Sequence, residues 1–182
     1  MNFAPTSGPL GIWPHGHIAR VVNRSGGALV LGDVVITSFN HTNAAYSTAP
    51  VDEAALRLSP FACVKKAAGN AGATSGNGAH AQAGYIGVVV GLGSSSGADG
   101  TDVDVQFSGI CSATVFANTN NVVLGSKLFL SDTAGRFGNE GDSSNPDTTV
   151  ALSLGSVTAG GSSNINVLLF NGPIDGTATA LT

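Results

Sequence analysis

Ionic side chains are scarce in this chain. Asp, Glu, Lys and Arg make up 10% of its 182 residues, against about 25% in an ordinary soluble domain. Seven residues are Lys or Arg, none lies beyond Arg136, and the three lysines are Lys65, Lys66 and Lys127. No basic stripe is available to neutralise phosphates, so nucleic acid is not an expected partner. Low charge here does not mean disorder, because disorder pairs high charge with low hydrophobicity and this chain is 42% hydrophobic with a net charge of −4. Long apolar runs are missing as well. Residues 88–90 are bounded by Gly87 and Gly91, far short of the ~20 apolar residues of a membrane helix. The opening Met1-Asn2-Phe3-Ala4-Pro5 has no basic region followed by an apolar stretch, so neither a secretory route nor a membrane is expected.

Cysteine is nearly absent. Cys63 and Cys111 each sit in a strand-like stretch without another Cys or a His at ligand spacing. A metal pair is not expected, and buried free thiols are, since free Cys packs as a small hydrophobe; sequence alone does not settle whether the two pair. The Asn-x-Ser/Thr triplets at Asn23 and Asn40 carry little weight without a signal peptide.

Catalytic apparatus is equally thin. Gly93-Ser94-Ser95-Ser96-Gly97 fits the G-x-S-x-G pattern, but that motif needs a strand-to-helix turn with Asp and then His downstream. The last histidine, His80, lies upstream, and residues 98–102 lead into a strand. His15 and His17 would share one side of an extended segment, yet a third metal ligand would have to come from His41 or His80. Asp99, Asp102 and Asp104 lack the register of a calcium loop and suit a tight turn entering a strand. The glycine-rich residues 69–78 lack the Gly-Lys-Ser/Thr close of a phosphate loop. No enzyme, cofactor or metal is expected.

Glycine is abundant, 26 residues of 182, about twice the ordinary share. Residues 1–17 carry Pro5, Pro9 and Pro14 among Gly8, Gly11 and Gly16, which forbids helix and interrupts any ladder. The same stretch holds Phe3, Leu10, Ile12 and Trp13. Apolar anchors on a proline-stiffened chain lose little entropy on binding, so this segment reads as an extended docking arm.

From Ile18 onward short β-rich runs are spaced by turn residues. Strands are expected at 18–22, 28–31, 33–37, 61–65, 85–92, 103–107, 110–116, 127–130, 149–154 and 164–170. Val103, Val105 and Phe107 alternate with Asp104 and Gln106, the period of a half-buried strand. The fold class is all-β: one compact barrel, tulip-like barrel or sandwich over residues 18–182, with at most one short helix at 52–58. Residues 69–84 read as a long flexible loop and 138–147 as a polar one. Val30-Leu31-Gly32-Asp33-Val34-Val35-Ile36 is echoed by Val123-Leu124-Gly125-Ser126-Lys127-Leu128-Phe129, with the glycine expected to let a strand turn from one sheet to the next. So many short strands with so few charges leave edges that a monomer would normally blunt, so either the sheet closes on itself or neighbours cover its edges and faces. Other protein is expected to cover much of the surface, as in interface cores depleted in charge.

A set of short motifs carries a family resemblance. They are Ala28-Leu29-Val30-Leu31-Gly32-Asp33-Val34-Val35, the run 86–90, Val103-Asp104-Val105-Gln106-Phe107-Ser108-Gly109-Ile110, Leu124-Gly125-Ser126-Lys127-Leu128-Phe129-Leu130-Ser131-Asp132, Ala151-Leu152-Ser153-Leu154-Gly155 and Asn166-Val167-Leu168-Leu169, with the turn Asp132-Thr133-Ala134-Gly135. Over residues 18–170 the chain resembles the capsid decoration (cement) proteins of tailed bacteriophages. The arm and the 69–84 insertion depart from the simplest members. The resemblance implies a compact β-barrel or tulip-like fold on the outside of an icosahedral head. It further implies the major capsid protein and sister copies as partners, a homo-oligomer with a trimer favoured, and a place in the virion. Phe3, Leu10, Ile12 and Trp13 would then be the capsid-binding anchors. The alternative is a tail-fibre, spike or other virion β-module that contacts host glycans, for which 6% aromatic residues and one Trp offer thin support.

Overall fold

The structure is a computed structural model that describes residues 16–37, 63–67, 85–93, 96–139 and 149–170. Ten strands run through them: β1 (Ile18–Asn23), β2 (Val34–Thr37), β3 (Cys63–Lys66), β4 (Ile86–Gly91), β5 (Asp102–Gln106), β6 (Gly109–Phe116), β7 (Lys127–Leu130), β8 (Phe137–Gly138), β9 (Ala151–Ser153) and β10 (Ser162–Leu169). No helix occurs among the described residues, and the all-β class holds.

The strands close into two five-stranded barrels of identical topology. The first runs β1-β3-β2-β4-β5 and the second β6-β8-β7-β9-β10. Each contains one parallel pair, β1 with β3 and β6 with β8, and the remaining pairs are antiparallel. The second barrel therefore repeats the first, strand for strand.

Loop geometry repeats too. Before β2, Asp33 N–H donates to Val30 O (3.1 Å), and Val30 N–H donates to the Asp33 carboxylate (2.9 Å). Before β7, Ser126 N–H donates to Val123 O (3.0 Å), and Val123 N–H donates to the Ser126 hydroxyl (2.9 Å). The third residue of each turn, Gly32 or Gly125, has φ of 88° or 83°, the left-handed conformation such a turn demands of glycine. The echo seen in the sequence is thus a turn inside each barrel and not a corner between sheets. Where β1 and β6 end, Asn23 N–H bonds Thr101 O (2.8 Å) and Ala117 N–H bonds Gly161 O (2.9 Å). Gly100 N–H then bonds Asn23 O (2.7 Å) just as Gly160 N–H bonds Ala117 O (2.6 Å).

The two barrels share apolar packing. Val21, Leu29, Val35, Val64, Val89, Val103, Val105 and Phe107 fill the first. The core of the second, built on Ala113, Val115, Leu128, Phe137 and Val167, also takes in Val34, Ile36, Ile86 and Val88 from the first. Side chains alternate across a strand, so β2 sends Val35 into its own barrel and Val34 and Ile36 into the neighbour. That is why Val-Val-Ile-Thr is buried at every position, as strands covered on both faces are. Backbone bonds stitch the junction: Val34 N–H to Gly135 O (2.9 Å), Gly135 N–H to Ala67 O (2.7 Å) and Thr114 N–H to Gly32 O (2.9 Å).

Two further sequence expectations change. Residues 28–31 form no strand; they lead into the Val30–Asp33 turn, and Leu29 drops into the first barrel with its N–H on Gly97 O (2.8 Å). Where the polar loop was expected to begin, Phe137–Gly138 is a strand and Asn139 is buried. A two-residue strand has no periodicity to read, and only its pairing with β6 and β7 defines it. The expected helix at 52–58, the loop at 69–84 and residues 140–147 lie outside the described residues.

Candidate interaction surface

Both ends of the described chain meet at the link between the barrels. Gly16 lies so close to the Ser108 carbonyl that a Cβ on it would overlap that oxygen, so only glycine fits. His17 N–H donates to Ser108 Oγ (3.0 Å), and Phe107 N–H donates to His17 O (2.8 Å). The buried Gln106 amide donates to both Ser108 O (2.8 Å) and Ile110 O (2.9 Å), clasping the link from inside. On the other side Leu169 pairs with Gly109, and Phe170 N–H reaches Val150 O (3.3 Å).

Three large apolar side chains stand exposed within two residues of this junction: Ile18 (53%), Ile110 (46%) and Phe170 (44%). Strands β6, β9 and β10 carry no charged residue. In the β6–β10 pair, alternation points Ile110, Ser112 and Thr114 outward beside Leu168, Asn166 and Asn164, their register partners. Arg136 stacks over the Phe116 ring at 4.1 Å and rims that sheet with a cation. A neutral, partly apolar sheet face therefore borders the point where residues 1–15 join the barrel.

Phe3, Leu10, Ile12 and Trp13, the anchors expected from sequence, lie outside the described residues, as do His15, His41, His80, Ser94 and Ser95. The three aspartates of the calcium-like run serve separate ends. Asp99 accepts from Gly26 N–H (2.9 Å), Asp102 opens β5, and Asp104 forms an ion pair with Arg20 (2.9 Å). The Arg20 hydrogen bond holds the Asp104 carboxyl below the usual carboxylate range. Among the described residues no three of His, Cys, Asp and Glu gather as metal ligands. Cys111 is a buried free thiol, pushed up to about 12 by desolvation; the Cys63 side chain lies outside the description. Asn23 is fully buried with its amide on Gly27 O and Gly97 O, both 2.7 Å, so its Asn-x-Ser triplet is structural.

Ile18, Ile110 and Phe170 escape sequence reasoning because each lies at or beside the end of an alternating strand, where an apolar residue reads as core. The tips Val30-Leu31 and Val123-Leu124 are also exposed. The signal for them was present in the repeated Val-Leu-Gly-polar text, which places an apolar pair at the front of a glycine turn.

A scan against protein-family models finds no match to this chain, and a search of curated proteins finds no relative.

Proposed function

We propose that this chain is a structural virion protein, a capsid decoration protein that binds the outer surface of a tailed-bacteriophage head and stabilises the lattice of its major capsid protein. What carries the reading is the apolar trio Ile18, Ile110 and Phe170 around the junction, at the root of a segment whose sequence adds Phe3, Leu10, Ile12 and Trp13. Large aromatic residues dominate binding energy at interfaces, and a ligand that binds only the assembled shell stabilises it by mass action. The role is non-enzymatic and needs no cofactor; its partners are the major capsid protein and sister copies.

The test is decoration of empty heads by the full chain and by a chain lacking residues 1–15. The cut spares Gly16 and His17, whose contacts with Ser108 and Phe107 hold the barrel. Full-length protein is expected to co-sediment with heads and raise their melting temperature, and the truncated chain to stay folded in solution. Failure of the full chain to bind would overturn the reading, and undiminished binding of the truncated chain would overturn the arm's part in it.

A further inference from the structure

The repeated barrels contain one docking contact twice over, and only one of its two copies is made. On the second barrel, Thr114 and Asn164 are cross-strand partners joined by a hydroxyl–amide hydrogen bond of 2.8 Å. The first barrel's turn sits on this pair. Thr114 N–H donates to Gly32 O (2.9 Å), the Asn164 amide reaches Leu31 O (3.5 Å), and a Cβ on Gly32 would stand 2.8 Å from Asn164 Nδ2.

The same two positions on the first barrel are Arg20 and Asp104. Arg20 lies three residues before Asn23 as Thr114 lies three before Ala117, and Asp104 lies three after Thr101 as Asn164 lies three after Gly161. They too are register partners, but they form a forked ion pair (2.9 and 3.2 Å) facing solvent. The matching turn on the second barrel is Val123–Ser126. Its Leu124 is 72% exposed, and among the described residues nothing lies within 4 Å of where a Cβ on Gly125 would be. Among the described residues one turn is seated and one is free, while one seat is filled and the other carries charges.

We infer that the Arg20–Asp104 pair is a stop: it keeps the Val123–Ser126 turn of a second copy off the first barrel and so limits the head-to-tail row of barrels to two. Such a contact is heterologous, and a heterologous contact that does not close on itself grows into a filament. Seating a turn tipped by Leu124 on this pair would strip water from two charges and set the Leu124 carbonyl, the counterpart of Leu31 O, toward an Asp104 carboxylate that has no proton to donate to it. The neutral Thr114–Asn164 pair carries no such penalty, which is why the contact is made within the chain and stops there. Repulsive elements of this kind set specificity as much as attractive ones do. This inference stands apart from the capsid reading, since it concerns the free protein alone.

The experiment is sedimentation of the full chain over a wide concentration range, with folding checked by circular dichroism. The double variant Arg20→Thr with Asp104→Asn, which copies the second barrel's seat, is expected to self-associate about tenfold or more tightly than wild type, the scale on which misplaced charge rejects a partner. Adding Leu124→Ser should abolish the gain. The reversed pair, Arg20→Asp with Asp104→Arg, should behave as wild type. A folded double variant with wild-type sedimentation would overturn the inference. Leu124→Ser in the wild-type background decides independently: an unchanged sedimentation profile supports the stop, and dissolution of a wild-type oligomer would sink it.

Discussion

Gly32 lies against Asn164: a Cβ on it would stand 2.8 Å from the Asn164 amide nitrogen, so the amide would have to move off its hydrogen bonds. Its counterpart Gly125 has the same backbone conformation, φ 83° against 88°, with none of the described residues in the place of the amide. The two glycines separate conformational strain from inter-barrel contact. Gly125→Ala should cost about 1–2 kcal/mol, the penalty for a left-handed residue with a Cβ. Gly32→Ala should cost clearly more, and Asn164→Ala should recover part of the excess. Urea midpoints check this, and equal losses at the two glycines would mean that the Asn164 contact contributes nothing.

Leu29 belongs to no strand yet fills the first barrel with Val35, Val89 and Val105. Leu29→Ala should lose about 2–5 kcal/mol of unfolding free energy, the range for buried leucines. Leu31→Ala, two residues on at an exposed turn tip, should stay within about 0.5 kcal/mol of wild type. A small effect at Leu29 in chemical denaturation would remove it from the core.

The Asn23 amide donates to two carbonyls and its oxygen accepts from Ser25 N–H (2.9 Å), all in a buried setting. Asn23→Asp keeps the shape and removes both donors, setting a carboxylate against two carbonyl oxygens. A loss of about 3 kcal/mol or more is expected at neutral pH, since an unsatisfied buried charge costs more than a neutral group. The deficit should shrink in acid, where protonation returns one donor. Thermal melts of the variant at pH 4 and pH 7 test the sign.

The Cys111 thiol is pushed up to about 12 from an ordinary value near 9 by burial. In the folded chain it should resist alkylation at pH 8.5 and react on unfolding, read by mass spectrometry of the Cys111 peptide. Linkage gives a second signature. Above the ordinary thiol value the unfolded state sheds this proton first, so stability declines as pH rises from about 9 toward 12. Cys111→Ala should show a shallower alkaline decline than wild type. Equal slopes would mean that the thiol ionises alike in both states.

Much of the strand pattern was legible from residue order. Lys127–Leu130 was read at its observed bounds, and Val103, Val105 and the neighbouring alternation fixed β5 to within a residue. In β5 Val103 and Val105 point inward, which a period of two records, whereas β7 is buried at Leu128, Phe129 and Leu130 alike and shows as an unbroken apolar run after Lys127. The Val-Leu-Gly-polar echo was visible as well, and it marks the repeat. Its meaning was not, because Val30 and Leu31 have the composition of strand residues and only the hydrogen bonds around Gly32 make them a turn.

What the sequence determined by itself is the all-β character, through short alternating runs cut by glycine, and the shortage of charge. Tertiary structure decided that the strands close twice over with one topology, that β8 exists, and which of two equivalent seats is filled. The reason is physical. Alternation and turn chemistry act between near neighbours in the chain, whereas Gly32 on Asn164 or Arg20 on Asp104 joins residues 132 and 84 apart, and no local pattern says which distant partner a side chain will meet.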